Sequence, residues 1–94
     1  MSDHTAKILW QRSGEEFQPD HYSRAHTWAF DCGVVVPASA APAYRGDTDR
    51  VDPEEAFVAS LASCHMLTFL AIAARKRFIV EQYVDEPVGV LSKN

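Results

Sequence analysis

The feature that most constrains this chain is residues 52–77, DPEEAFVASLASCHMLTFLAIAARKR, within which residues 56–74 carry no Asp, Glu, Lys or Arg. Asp52 suits a helix N-cap, Pro53 the first helical position, and Glu55 stands three residues after the cap, as in a capping box. Acidic Asp52, Glu54 and Glu55 at one end and basic Arg75, Lys76 and Arg77 at the other both complement a helix dipole. Between them apolar side chains cover the whole circumference, among them Phe57, Leu61, Leu67, Phe69, Leu70 and Ile72. Such a helix is expected to be buried on most sides. A 94-residue chain makes only a modest core, so a second copy is the natural source of further burial.

The same run is long enough to cross a bilayer and is followed by positive charge. Ser60, Ser63, His65, Thr68 and the many alanines, with flanks that read as strands, point instead to a water-soluble domain and not to a membrane protein. Residues 1–16 hold no apolar segment of the secretory kind, which points to a cytoplasmic protein. In that reducing compartment Cys32 and Cys64 are expected as free thiols. A net charge of −4 leaves no basic stripe to neutralise phosphates, so nucleic acid is not an expected partner.

Residues 5–12 are β-like around Ile8, Leu9 and Trp10, and residues 13–20, with Gly14 and Pro19, mark a turn. From Ser23, alternation places Arg24, His26, Trp28 and Phe30 on one face of a strand and Ala25, Thr27, Ala29 and Asp31 on the other. Asp31, Cys32 and Gly33 read as a hairpin turn, followed by a third strand that starts at Val34 and is limited by Pro37. Residues 38–51 read as a loop leading to the helix, carrying Arg45 and Arg50. Beyond the helix, residues 78–83 and 88–91 read as strand pieces. Three strands, a long helix and a further strand make an α+β fold in a single domain over residues 1–94.

A cysteine at mid-helix gains little from the dipole, which fades within the first turn. Packing as a small apolar side chain accounts for many such cysteines. A reactive Cys64 needs a cation from elsewhere to stabilise its thiolate. Arg24, on the strand face with the aromatics, is the first candidate and Arg45 the second, with a carboxylate to hold the guanidinium fork. His65 points about 100° away around the helix and makes no catalytic pair with Cys64. The histidines and cysteines lack zinc-type pairing, and no glycine-rich phosphate loop or serine elbow is present, so neither metal nor cofactor is expected.

The run DPEEAFVASLASCHM, preceded by YSRAHTWAFD and followed by VEQYVDEPVG, resembles the OsmC/Ohr family of thiol-dependent hydroperoxide reductases, from Thr5 to the end. Its most specific part is a Pro-Glu pair opening a helix with a cysteine ten positions after that glutamate. The resemblance implies an intertwined homodimer, with long central helices surrounded by sheet and active sites at the subunit interface. It implies that a cysteine, matched by Cys64, reduces organic hydroperoxides and is regenerated by an external thiol, and that the family glutamate is Glu54. The family arginine matches Arg24 in an Ohr-like alignment and Arg45 in an OsmC-like one, where it lies in the loop before the helix.

Two departures qualify the match. Family chains continue into a second helix with a partner cysteine, so this chain is expected to be the N-terminal part of a longer protein or a shortened form. Cys32 sits where relatives more often have glycine, so it does not inherit the resolving role. Geometry adds an expectation of its own. Ten residues of helix separate Glu54 and Cys64 by about 15 Å, so they meet only if an antiparallel second copy brings them together. The alternative is a non-catalytic dimerisation or apolar-ligand-binding module.

Overall fold

The computed structural model describes residues 1–92. The chain forms two compact units, Met1–Pro53 and a second beginning at Glu54. The first is built on an antiparallel sheet of β1 (Ala6–Leu9), β2 (His26–Phe30) and β3 (Val35–Ala38), in that spatial order. In the register, Trp28 stands opposite Ile8 on one side and Val36 on the other, so the three side chains share one face. Gly33, at φ 97°, closes the β2–β3 turn, with its N–H donating to Phe30 O at 2.9 Å. That left-handed conformation is one glycine adopts without steric cost.

Two strand boundaries differ from expectation. β2 begins at His26, so Arg24 lies just ahead of the strand rather than on its face. β3 runs through Pro37 instead of stopping there. Phe30 N–H donates to Val34 O, and alternation from that bonded pair puts the Thr27–Pro37 pair at a non-bonded position. The missing proline N–H therefore faces the outer edge of the sheet, where it costs no ladder bond to β2. On that edge Val51 forms a parallel bridge with Ala38, through Ser39 N–H to Val51 O at 2.9 Å and Val51 N–H to Pro37 O at 3.1 Å. Fully buried Ser39 accepts the Asp47 N–H on its hydroxyl at 3.1 Å, which folds the intervening loop back on itself.

In the second unit, α1 (Pro53–Arg75) starts as the sequence indicates, with Asp52 at the N-cap position and Glu55 as the third helical residue. Its C-terminus is a Schellman motif. Arg77 adopts φ 66°, its N–H donates to Ala74 O at 3.0 Å, and Phe78 N–H donates to Ala73 O at 2.9 Å. The chain then turns back along the helix. The Tyr83 ring lies 5.7 Å from that of Phe69, and Gly89 passes so close to Val58 that a Cβ there would sit 2.4 Å from the valine Cγ2.

Residues 78–83 and 88–91 form no strand, which corrects the expectation of a sheet element after the helix. Their apolar, β-branched composition favours extended chain, but a strand also needs a ladder partner. Among the described residues none of them pairs with another segment by main-chain hydrogen bonds beyond the helix cap. Nor is α1 buried on most sides. Val58, Ala62, Met66 and Leu70 are half-buried and Ala73 buried, forming one stripe at helical spacing. Apart from half-buried Ala56 in the first turn, the remaining circumference is exposed, because one returning segment cannot wrap a helix that is apolar all round. By length and composition alone α1 could also span a bilayer.

Candidate active site

Cys64 lies eleven residues after Pro53 opens α1, on the face opposite the half-buried stripe. The thiol is free and exposed, not packed into a core as a small apolar side chain. Its neighbours at helical spacing are apolar and open: Phe57 is 64% exposed, Leu61 57% and Leu67 60%. Ser60, one turn before the thiol, turns its hydroxyl inward to donate to Phe57 O at 2.8 Å. Glu54 is exposed in the first turn of the same helix, about 15 Å away along the axis by helical rise. The structure therefore does not bring Glu54 and Cys64 together within one copy of the chain.

Both candidate arginines belong to the first unit, and both are fastened to one short segment, residues 19–22. Arg24 lies with its guanidinium carbon 3.8 Å from the Tyr22 ring centroid. It donates from Nη1 to Tyr22 O at 2.6 Å and from Nη2 to Pro19 O at 2.8 Å. Arg45, in a left-handed conformation at φ 68°, pairs with Asp20 at 3.0 Å. Arg50 is different: its Nη1 donates to His26 O at 2.9 Å and its Nε faces Asp47 at 3.8 Å, so it braces the sheet.

Alternation alone did not reveal an aromatic cluster beside Arg24. Trp10, Phe17 and Tyr22 pack with ring centroids 5.3 to 6.2 Å apart. With Arg24, His26 and Ala40 they line an open cleft of about 370 Å³. Trp10 Nε1 donates to Ser23 O at 2.7 Å, which ties β1 to the segment ahead of β2. Glu15 accepts from the Ser13 hydroxyl at 2.7 Å and the Ser23 N–H at 3.4 Å. These bonds, the Ser13 one foremost, hold its carboxyl below the usual glutamate range. The composition of residues 13–20 indicated a turn, but not that its aromatic and acidic residues fold onto the residues before β2. Cys32 is free and exposed on the β2–β3 turn. Among the described residues no cluster of His, Cys, Asp and Glu is arranged to hold a metal ion.

The OsmC-like protein family matches residues 46–89, the span from the approach loop through the helix to the returning segment. The solved structure of an OsmC-like protein of unknown function from Vibrio cholerae matches with a TM-score of 0.94 and 52% identity. The match covers 100% of this chain and 64% of that one, so this chain spans somewhat under two thirds of the relative's length. Among curated proteins none matches. The chain belongs to the OsmC-like family.

Proposed function

We propose that this chain is a thiol-dependent peroxidase that reduces organic hydroperoxides to alcohols at Cys64. The observation that carries the reading is the free, exposed thiol of Cys64 on the apolar helix inside the span that the OsmC-like family matches. The Cys64 thiolate attacks the terminal oxygen of the hydroperoxide and the O–O bond breaks. The sulfur is oxidised to a sulfenic acid, and the alkoxide leaves and takes up a proton to become the alcohol. An external dithiol then returns two electrons to the sulfur and releases water.

Activation falls to groups outside the helix. Arg24 or Arg45 stabilises the attacking thiolate by its positive charge and steadies the leaving oxygen, while Glu54 orients the guanidinium. We place the assembled site in a cytoplasmic homodimer, where Glu54, which lies too far along α1 to reach the Cys64 of its own copy, and the arginine meet the partner's thiol. The exposed band of Phe57, Leu61 and Leu67 around the thiol supports that second copy and favours an organic substrate over hydrogen peroxide. The same band supports the alternative, a non-catalytic dimerisation or apolar-ligand-binding module.

The two readings separate on organic-hydroperoxide consumption with a dithiol reductant, compared among wild type, Cys64→Ser and Cys32→Ser. The peroxidase reading expects loss of turnover with Cys64→Ser only. Undiminished turnover in Cys64→Ser rejects it, and loss with Cys32→Ser alone reverses the assigned roles.

A further inference from the structure

The cleft beside Arg24 lies wholly within the first unit, and most of the polar side-chain atoms around it are already engaged. Trp10 Nε1 donates to Ser23 O at 2.7 Å. An indole N–H only donates, so His26 Nε2, 3.0 Å from Trp28 Nε1, accepts. His26 Nδ1 then donates to Arg24 O at 2.8 Å. Neither ring has a nitrogen left for a ligand. Phe17 and Ala40 carry no polar side-chain atom. Apart from the Tyr22 hydroxyl, the side chains lining the cleft thus offer carbon surface and one guanidinium.

That guanidinium is an unbalanced charge. Arg24 gives one N–H to Tyr22 O and one to Pro19 O, which leaves three of the five N–H groups of a guanidinium. Carbonyls accept hydrogen bonds but carry no net charge to offset a cation. The neighbouring carboxylates are engaged elsewhere: Glu15 with the Ser13 hydroxyl and Ser23 N–H, Glu16 with His21 at 3.1 Å, and Asp20 with Arg45 at 3.0 Å. Among the described residues Arg24 makes no ion pair. It is half-buried and already fixed, stacked 3.8 Å from the Tyr22 ring centroid, so little ordering is needed for it to meet an anion. Beside it the Phe17 ring stays 69% exposed although it packs on Trp10 and Tyr22.

We propose that this cleft binds a small aromatic carboxylate. The ring lies among Trp10, Phe17 and Tyr22, and the carboxylate accepts the remaining Arg24 N–H groups. The volume of about 370 Å³ is at the small end for ligand pockets, which suits a compact acid. A phosphate would leave the rings unused, and a neutral arene would leave the cation unanswered. Occupancy needs neither Cys64 nor a hydroperoxide, so the inference stands apart from the proposed peroxidase reading.

The test is two-dimensional NMR of the whole chain titrated separately with benzoate, benzyl alcohol and acetate, which present ring and charge together and each alone. Benzoate is expected to shift the Trp10 indole N–H, the Arg24 Nε–H and the Phe17 and Tyr22 ring resonances along one saturation curve. Benzyl alcohol and acetate should each bind at least about tenfold more weakly, the first lacking a charged hydrogen bond and the second ring burial. Arg24→Gln should reduce benzoate to the affinity of benzyl alcohol. Because Arg24 also anchors residues 19–22 and its loss could unfold them, Phe17→Ala serves as a second variant. Removing that exposed ring should weaken benzoate several-fold and leave acetate unchanged. Equal affinity for benzoate and either fragment overturns the proposal. So do benzoate shifts centred outside the cleft, benzoate affinity unchanged in Phe17→Ala, and the absence of saturable benzoate binding. No hydroperoxide is present in these titrations, so their failure leaves the peroxidase reading standing, and the failure of that reading is seen in turnover alone.

Discussion

The Arg50 guanidinium donates to the main-chain carbonyl of His26 at 2.9 Å, reaching from the loop before the helix to the first residue of β2. A longer contact from the same nitrogen, 3.5 Å, touches Ala38 O at the end of β3. One planar cation thus ties together the open end of the β2–β3 hairpin and the loop that runs on to Asp52. Arg50→Ala is expected to lower stability by roughly 1–3 kcal/mol, the range for hydrogen bonds to a charged group. Arg50→Lys should recover only part of this, because an ammonium lacks the guanidinium fork. Urea unfolding of the three proteins measures both effects; equal stability of all three would show that the brace contributes nothing.

The returning segment after α1 is held by close approach rather than by a ladder. A Cβ at residue 89 would sit 2.4 Å from Val58 Cγ2, and valine, branched at Cβ, turns aside only at a cost. Gly89→Ala should therefore destabilise by about 1–3 kcal/mol, as overpacking does. Val58→Ala in the same chain should restore most of the loss. Thermal melts of the two single variants and the double variant form the cycle, and additive losses would contradict the predicted contact.

The sequence made some of this legible and hid the rest for physical reasons. Asp52, Pro53 and Glu55 mark the start of α1 because N-terminal positions demand particular residue types. Gly33 marks the hairpin because positive φ does. Pro37 misled because whether a proline interrupts a strand depends on which edge its missing N–H faces, and pairing decides that. Residues 78–83 and 88–91 misled because β-branched composition favours extension without supplying a partner strand. At the candidate site, Cys64 and Glu54 were singled out by resemblance to the OsmC/Ohr family, and their separation followed from helical rise. The attachment of Arg24 to Pro19 and Tyr22 was not, since it depends on how the segment before β2 folds. The hydrogen bond from Trp28 Nε1 to His26 Nε2 at 3.0 Å had a faint signal, two ring residues two apart on one strand face.

Arg77 offers a test of local strain. It holds a left-handed conformation that glycine adopts freely and that costs other residues about 1–2 kcal/mol. Its charge complements the helix dipole, but Arg75 and Lys76 remain to do so. Arg77→Gly is expected to raise stability by about 0.5–1 kcal/mol, while β-branched Arg77→Val lowers it. Thermal unfolding that ranks valine above glycine would be inconsistent with the Schellman end.

Glu15 sets an expectation in acid. Its carboxyl is held below the ordinary glutamate range chiefly by the Ser13 hydroxyl. A depressed folded-state pKa stabilises the fold above the unfolded value, and that contribution is lost as pH falls through the folded value. The Glu15 carboxyl resonance should therefore titrate lower than that of an unfolded peptide. In Ser13→Ala it should move back upward. An unchanged titration in Ser13→Ala would rule out the hydroxyl as the main cause.

The central claim concerns one sulfur, and a single turnover without reductant tests it most directly. Reduced chain is mixed with one equivalent of an organic hydroperoxide in the presence of a sulfenic-acid trap, and the alcohol and the modified peptide are quantified together. The account predicts equimolar alcohol and trapped sulfenic acid on the peptide carrying Cys64. Hydroperoxide recovered intact, or oxygen found on Cys32 with Cys64 unmodified, would contradict it.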